Sequence, residues 1–158
     1  MHHCLSLRPS NLVVVLLTGA AGCVGGSLTT TATQPSPVAA PDAFSCVRQQ
    51  LGAVGFSQTS YDTERLRVAA RRFDETQRRP DTQFRRMVDR LEIEVAPGTG
   101  EALSTITVQA STFAELTTQR GPTEVQERAS ETARAAAETI LRECGRGADD
   151  TGVPTPEP

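Results

Sequence analysis

Two stretches of alternating residues flank the turn signal Pro97-Gly98-Thr99-Gly100, and no other feature of the chain constrains its fold so tightly. Before the turn, Met87, Leu91, Ile93 and Val95 share one face, opposite Arg90, Glu92 and Glu94. After it, within Leu103 to Phe113, Ile106, Val108 and Ala110 alternate with Thr105, Thr107 and Gln109. Strand side chains point to opposite faces in turn, so this period predicts an antiparallel pair with one face on a core and one in water. Just before the hairpin the pattern has two readings. Phe84, Met87, Val88 and Leu91 also lie at i, i+3, i+4, i+7, so residues 80–87 read either as a helical turn begun by Pro80-Asp81 or as the approach to the strand.

Two further strands precede the hairpin. Phe56 to Tyr61 is rich in Ser, Gln and Thr and reads as a polar edge. In Arg65 to Arg71, Leu66, Val68 and Ala70 alternate with Arg65, Arg67, Ala69 and Arg71. Helices are expected at both ends. Asp42 caps a first one, whose stripe Phe44, Val47, Leu51, Val54 stops at Gly52 and Gly55. Gly121-Pro122-Thr123 opens the last, lined by Val125, Ala129, Ala133, Ala136, Ile140 and Cys144 and capped by Gly145, with Glu124–Arg128, Glu131–Arg134 and Glu138–Arg142 pairs outside. The order helix, four strands, helix predicts an α+β fold over residues 42–145. Its expected form is a two-layer sandwich, a four-stranded antiparallel meander with two antiparallel helices on one face.

What lies outside that domain differs in kind. Arg8, the apolar run Leu12 to Leu17 and the small residues Thr18 to Gly22 read as a signal peptide over residues 1–22. Gly19-Ala20-Ala21-Gly22-Cys23 resembles the lipobox of bacterial lipoproteins, with Ala20 where the commonest form has Leu. The resemblance implies cleavage before Cys23, a diacylglycerol on its sulfur, and a protein held on a membrane of the cell envelope. A transmembrane span is disfavoured, because Leu12 to Gly26 falls short of the roughly 20 apolar residues that cross a bilayer. Residues 24–41 carry no charge and are mostly Gly, Ser, Thr, Pro and Ala, which predicts a flexible tether over 23–41. Residues 146–158, with their Pro, Gly and adjacent Asp149-Asp150, read as a disordered tail.

The four cysteines then sort themselves. Cys4 leaves with the signal and Cys23 is acylated, so Cys46 and Cys144 remain. A simple secretory cut after Ala21 would instead leave an odd thiol. In the expected meander the start of the first helix lies beside the end of the second, which brings Cys46 to Cys144. A structural disulfide in an oxidising envelope fits better than a metal or redox pair, given the absence of C-x-x-C spacing and of any His to complete a zinc site. Closing so long a loop stabilises the fold by up to about 4 to 5 kcal/mol in the chain-entropy model.

Chemistry is bounded by what the chain lacks. Its 16 basic residues are all Arg, and its histidines are His2 and His3. No Lys is present for a Schiff base, and no His in the domain activates Ser57 or Ser60 near Tyr61 and Asp62. Glu92 and Glu94 share a strand face without a third catalytic group. No catalytic residue, metal ligand or cofactor is therefore expected. Nine of the arginines fall between Arg65 and Arg90, against six acids in 61–90. Arg65, Arg67, Arg71, Arg72, Arg78 and Arg79 form a candidate site for an anionic ligand such as a lipid headgroup or lipopolysaccharide phosphate. Nucleic acid is not expected with so few aromatics to stack bases. The sequence points to a membrane-anchored, non-catalytic binding or assembly module that docks an envelope partner on its exposed sheet face. The alternatives are an anionic-ligand binder and a small hydrolase.

Overall fold

The computed structural model describes residues 27–146. The hairpin expected from Pro97–Gly100 is its centre. β4 (Phe84–Pro97) and β5 (Ser104–Thr118) pair antiparallel along nearly their whole length, with Leu91 opposite Ala110 and Ile93 opposite Val108. A side chain at Gly98 would strike the Ala102 carbonyl, so the turn needs glycine there. β2 (Ser57–Asp62) and β3 (Arg67–Asp74) extend the sheet beyond β4 in chain order, β2 being an edge with a register shift between Gln58 and Ser60.

The sheet has six strands rather than four, and the two additions correct two sequence expectations. Thr30–Ser36, expected in the tether, is β1 and pairs with residues 104–110 of β5. Its Thr residues favour a strand, while Ala32, Gln34 and Ser36 turn toward the core. Gly121–Glu127, expected to open the last helix, is β6 and pairs with residues 112–118 of β5. Gly121, at φ 108°, makes the tight return from β5 that other residues adopt with strain. β1 and β6 thus lie end to end along one edge of β5, and all pairings are antiparallel.

The helices follow the same logic. α1 (Ala40–Ala53) begins at the N-cap Ala39 without a side-chain cap. Pro41 pre-forms its first turn, and Asp42 lies inside that turn instead of capping it. At its end Gly55, at φ 81°, lets the Phe56 N–H reach the Leu51 carbonyl at 2.9 Å. α2 (Glu131–Gly145) starts later than expected because Ser130 is the true cap, its Oγ accepting the Ala133 N–H at 3.0 Å. The displaced start also breaks the expected Glu124–Arg128 pair, since Glu124 binds Arg90 across the sheet at 2.6 Å. Phe84 begins a strand, which settles residues 84–87 as extended. β3 starts at Arg67, because Leu66 adopts φ 50° and ends the alternation before it reaches Arg65.

One aliphatic core draws on both helices and the sheet. Ala43, Val47, Leu51, Ala133 and Ile140 are fully enclosed, together with Leu91, Ile106, Val108 and Ala110. Burying each Leu or Ile contributes about 1.5–3 kcal/mol. Cys46 and Cys144 form a disulfide with Cα atoms 5.8 Å apart. Val54, just past the end of α1, shares a cleft with Glu131, Thr132 and Ala135 at the start of α2. At the close of α2, Gly145 lies so near the Gln34 side chain of β1 that any Cβ there would collide with it. The expected signal peptide, Cys23 and nearly all of the expected tail lie outside the described residues.

Candidate functional site

The sheet face opposite the one that carries Leu91, Ile93, Ile106 and Val108 is built in cross-strand rows. One row is Arg67, Glu94, Thr107 and Thr33; the next is Ala69, Glu92, Gln109 and Thr31. Arg71, Arg90 and Ser111 follow, then Phe73, Val88, Phe113 and Gln126, then Arg86, Glu115 and Glu124. Ala69 is the small residue in a polar surround. It leaves an open groove of about 430 Å³, whose walls include Arg67, Glu92, Glu94, Thr107 and Gln109.

Past that groove the face changes character, from polar rows to aromatic rings and guanidinium groups. Val88 is 1% exposed although it faces outward. It lies opposite Phe73 and Phe113, and their rings carry Arg side chains in turn. Arg86 and Arg71 stand 3.8 and 4.9 Å from the Phe73 ring centre, and Arg90 stands 4.5 Å from that of Phe113. Guanidinium planes stack on aromatic faces with about 0.5–1 kcal/mol at exposed sites. Carboxylates then fix the arginines from the other side. Glu115, nearly buried, takes Arg85 at 2.9 Å and Arg86 at 3.1 Å, while Glu124 takes Arg90.

On the helix side the same projecting end is closed differently. Asp89, 3% exposed, accepts hydrogen bonds from the Thr112 and Ser130 hydroxyls at 2.6 and 2.8 Å, which ties β4 and β5 to the α2 cap. The 75–83 loop folds over Met87 through Arg79, which stands 4.8 Å from the Phe84 ring centre and grips Glu127 with two hydrogen bonds of 2.5 and 2.8 Å. The Arg79 guanidinium holds the Glu127 carboxyl below the ordinary glutamate range, and Glu127 in turn raises Arg79. The loop begins at Asp74, whose carboxyl is lowered by the Thr76 hydroxyl and N–H.

The six arginines expected to bind an anion do not converge. Arg67 and Arg71 share the outer face two rows apart, and Arg67 already pairs with Glu94 at 2.8 Å. Arg65 lies in the β2–β3 turn, 3.9 Å from Asp62, whose carboxyl is lowered first by the Arg65 N–H. Arg72 lies on the opposite face in the row of Asp89. Arg78 donates to the Glu75 and Gln77 carbonyls. Arg79 is the loop clamp. Arg71 alone combines the outer face with no carboxylate within 4 Å among the described residues. Sequence reasoning missed Arg86, Arg90, Glu115 and the two rings. The available signal was Phe73 and Phe113 on strand positions of the same parity as Arg71 and Arg90.

Glu92 and Glu94 share the outer face as expected, and Glu94 is occupied by Arg67. Ser60 and Asp62 line the groove with Tyr61, whose ring meets Arg48 at 4.1 Å. Among the described residues no helix is long and apolar enough to cross a membrane. No protein-family model matches the chain, and no curated protein does.

Proposed function

We propose that the chain is an exported lipoprotein, anchored through Cys23, that docks an envelope protein partner on the outer face of its sheet. The observation that carries this reading is that the face opposite the aliphatic core presents Phe73, Arg71 and Arg90 beside a polar groove. Aromatic and Arg side chains are the groups over-represented where proteins bind one another. The Cys46–Cys144 disulfide supports export, because such bonds persist outside the reducing cytosol. The two-layer packing of both helices against the other face belongs to the same proposal, since it leaves this face open.

A photo-crosslinking residue placed at Gln109 or Ser111 in cells should yield one discrete adduct. The same residue at Glu138, on the solvent side of α2, should yield none. Adducts from Glu138 with none from Gln109 or Ser111 would overturn the reading. The anionic-ligand alternative rests on Arg71, which lies directly opposite Arg90 with no carboxylate of its own. It requires that salt weaken vesicle or lipopolysaccharide binding, and that Arg71→Ser weaken it further.

A further inference from the structure

The start of β1 sets how far the domain can stand from a membrane. With Thr30–Ser36 in the sheet, the expected tether shrinks to the few residues between Cys23 and Leu28. Leu28 is itself fixed, its carbonyl accepting the Ala129 N–H at 3.0 Å. Five residue steps span at most about 17 Å when fully extended. The opposite edge, β2, lies four strand spacings from β1, about 19 Å at 4.8 Å per spacing. A domain resting on its β2 edge would therefore hold Leu28 beyond reach of an acylated Cys23.

The near edge has the chemistry of an interfacial surface. Five large apolar side chains are exposed among the described residues, and three lie along the β1/β6 edge. Leu28 precedes β1, Val125 is in β6, and Leu103 donates its N–H to Ser36 at the end of β1. Their exposures are 45, 49 and 59%. β1 carries no charge, and both strands hold a proline (Pro35 and Pro122), which disfavours pairing with another strand. Glu124 and Glu127 are neutralised by Arg90 and Arg79, whereas Arg120 and Arg128, flanking β6, have no carboxylate within 4 Å among the described residues. Glu101, beside Leu103, is the opposing charge.

We infer that the β1/β6 edge seats the domain on the bilayer that holds its anchor. Leu28, Leu103 and Val125 rest at headgroup level, and Arg120 and Arg128 reach lipid phosphates. The inference rests on acylation of Cys23, and it leaves the β2 edge pointing away from the membrane and the outer face open to a partner alongside.

The test uses the full acylated chain in phosphatidylcholine–phosphatidylglycerol vesicles that contain a shallow nitroxide lipid. A fluorescent amino acid is placed singly at Leu103, Val125, Thr59 on the β2 edge, or Gln109 on the outer face, and lipid labelling of the same preparation is measured. Leu103 and Val125 should be quenched several-fold more strongly than Thr59 and Gln109. Equal quenching at all four sites, or stronger quenching at Thr59 or Gln109, in a lipid-labelled protein overturns the seating and leaves the anchor intact. A chain without lipid label overturns both.

Discussion

The sheet has two halves that share β4 and β5 but are held together by different physics. Under the helices, Leu91, Ile93, Ile106, Val108 and Ala110 pack on Val47, Leu51 and Ile140, and a disulfide closes the helix pair. In the other half three of the five phenylalanines close the sheet, Phe84 on the core side and Phe73 and Phe113 on the outer face, and each ring is covered by at least one arginine. The first half excludes water with aliphatic volume. The second does so with guanidinium groups that stand over rings while they also meet Glu115, Glu124 and Glu127.

The largest effects should fall in the aliphatic half. Leu91→Ala leaves a cavity between sheet and helices and should cost about 2–5 kcal/mol in urea unfolding. Cys46→Ser with Cys144→Ser should cost a comparable amount, about 2–5 kcal/mol, read as a lower Tm without reductant. If either substitution left stability unchanged, the contrast between the halves would be lost.

Smaller effects sharpen it. Glu115→Gln strips Arg85 and Arg86 of a nearly buried carboxylate and should cost about 1–3 kcal/mol, in proportion to how far Arg86 is desolvated. The Arg79–Glu127 clamp adds a pH dependence. Because the folded carboxyl is held below its ordinary value of 4.5, the stability it contributes is complete above that value and is lost only as pH falls through the lower folded one. Glu127→Gln should therefore flatten the acid limb of the stability curve and leave it unchanged near neutrality apart from a constant offset. Arg71→Ser should be nearly silent in stability, within about 0.5 kcal/mol, since Arg71 has no ion pair to lose. A larger loss there would mean that the Arg71 contact with Phe73, 4.9 Å from the ring centre, counts for as much as the closer one from Arg86.

How much was legible follows the same division. The alternation of Ile93 and Val95 with Glu92 and Glu94 exposed the hairpin, because an apolar core writes a two-residue period into sequence. The Cys46–Cys144 pairing came from cysteine arithmetic and the expected direction of the helices, before any contact was visible. The added strands were hidden for physical reasons. β1 alternates small polar residues, so Thr30–Ser36 reads as low-complexity chain until β5 supplies its partner. In β6, Gly121-Pro122 fits a helix start as well as a strand after a tight turn, and the choice is made by β5 running on to Thr118. The candidate arginines were grouped by proximity in sequence, yet alternation along β3 sends Arg71 and Arg72 to opposite faces. Their neutralisation by Glu94 and Glu127 depends on residues distant in the chain.

Amide hydrogen exchange along β4 and β5, followed while salt is raised and pH lowered below the carboxylate range, tests the division most directly. Ion pairs in the projecting half weaken as salt screens them, and acid removes the Arg79–Glu127 clamp as well, whereas aliphatic burial persists. Protection should fall at Arg86 to Arg90 and Ser111 to Leu116 while Leu91 to Val95 and Ile106 to Ala110 keep theirs. Loss of protection at the same rate along both strands would contradict the account, because it would mean that one cooperative core holds the whole sheet.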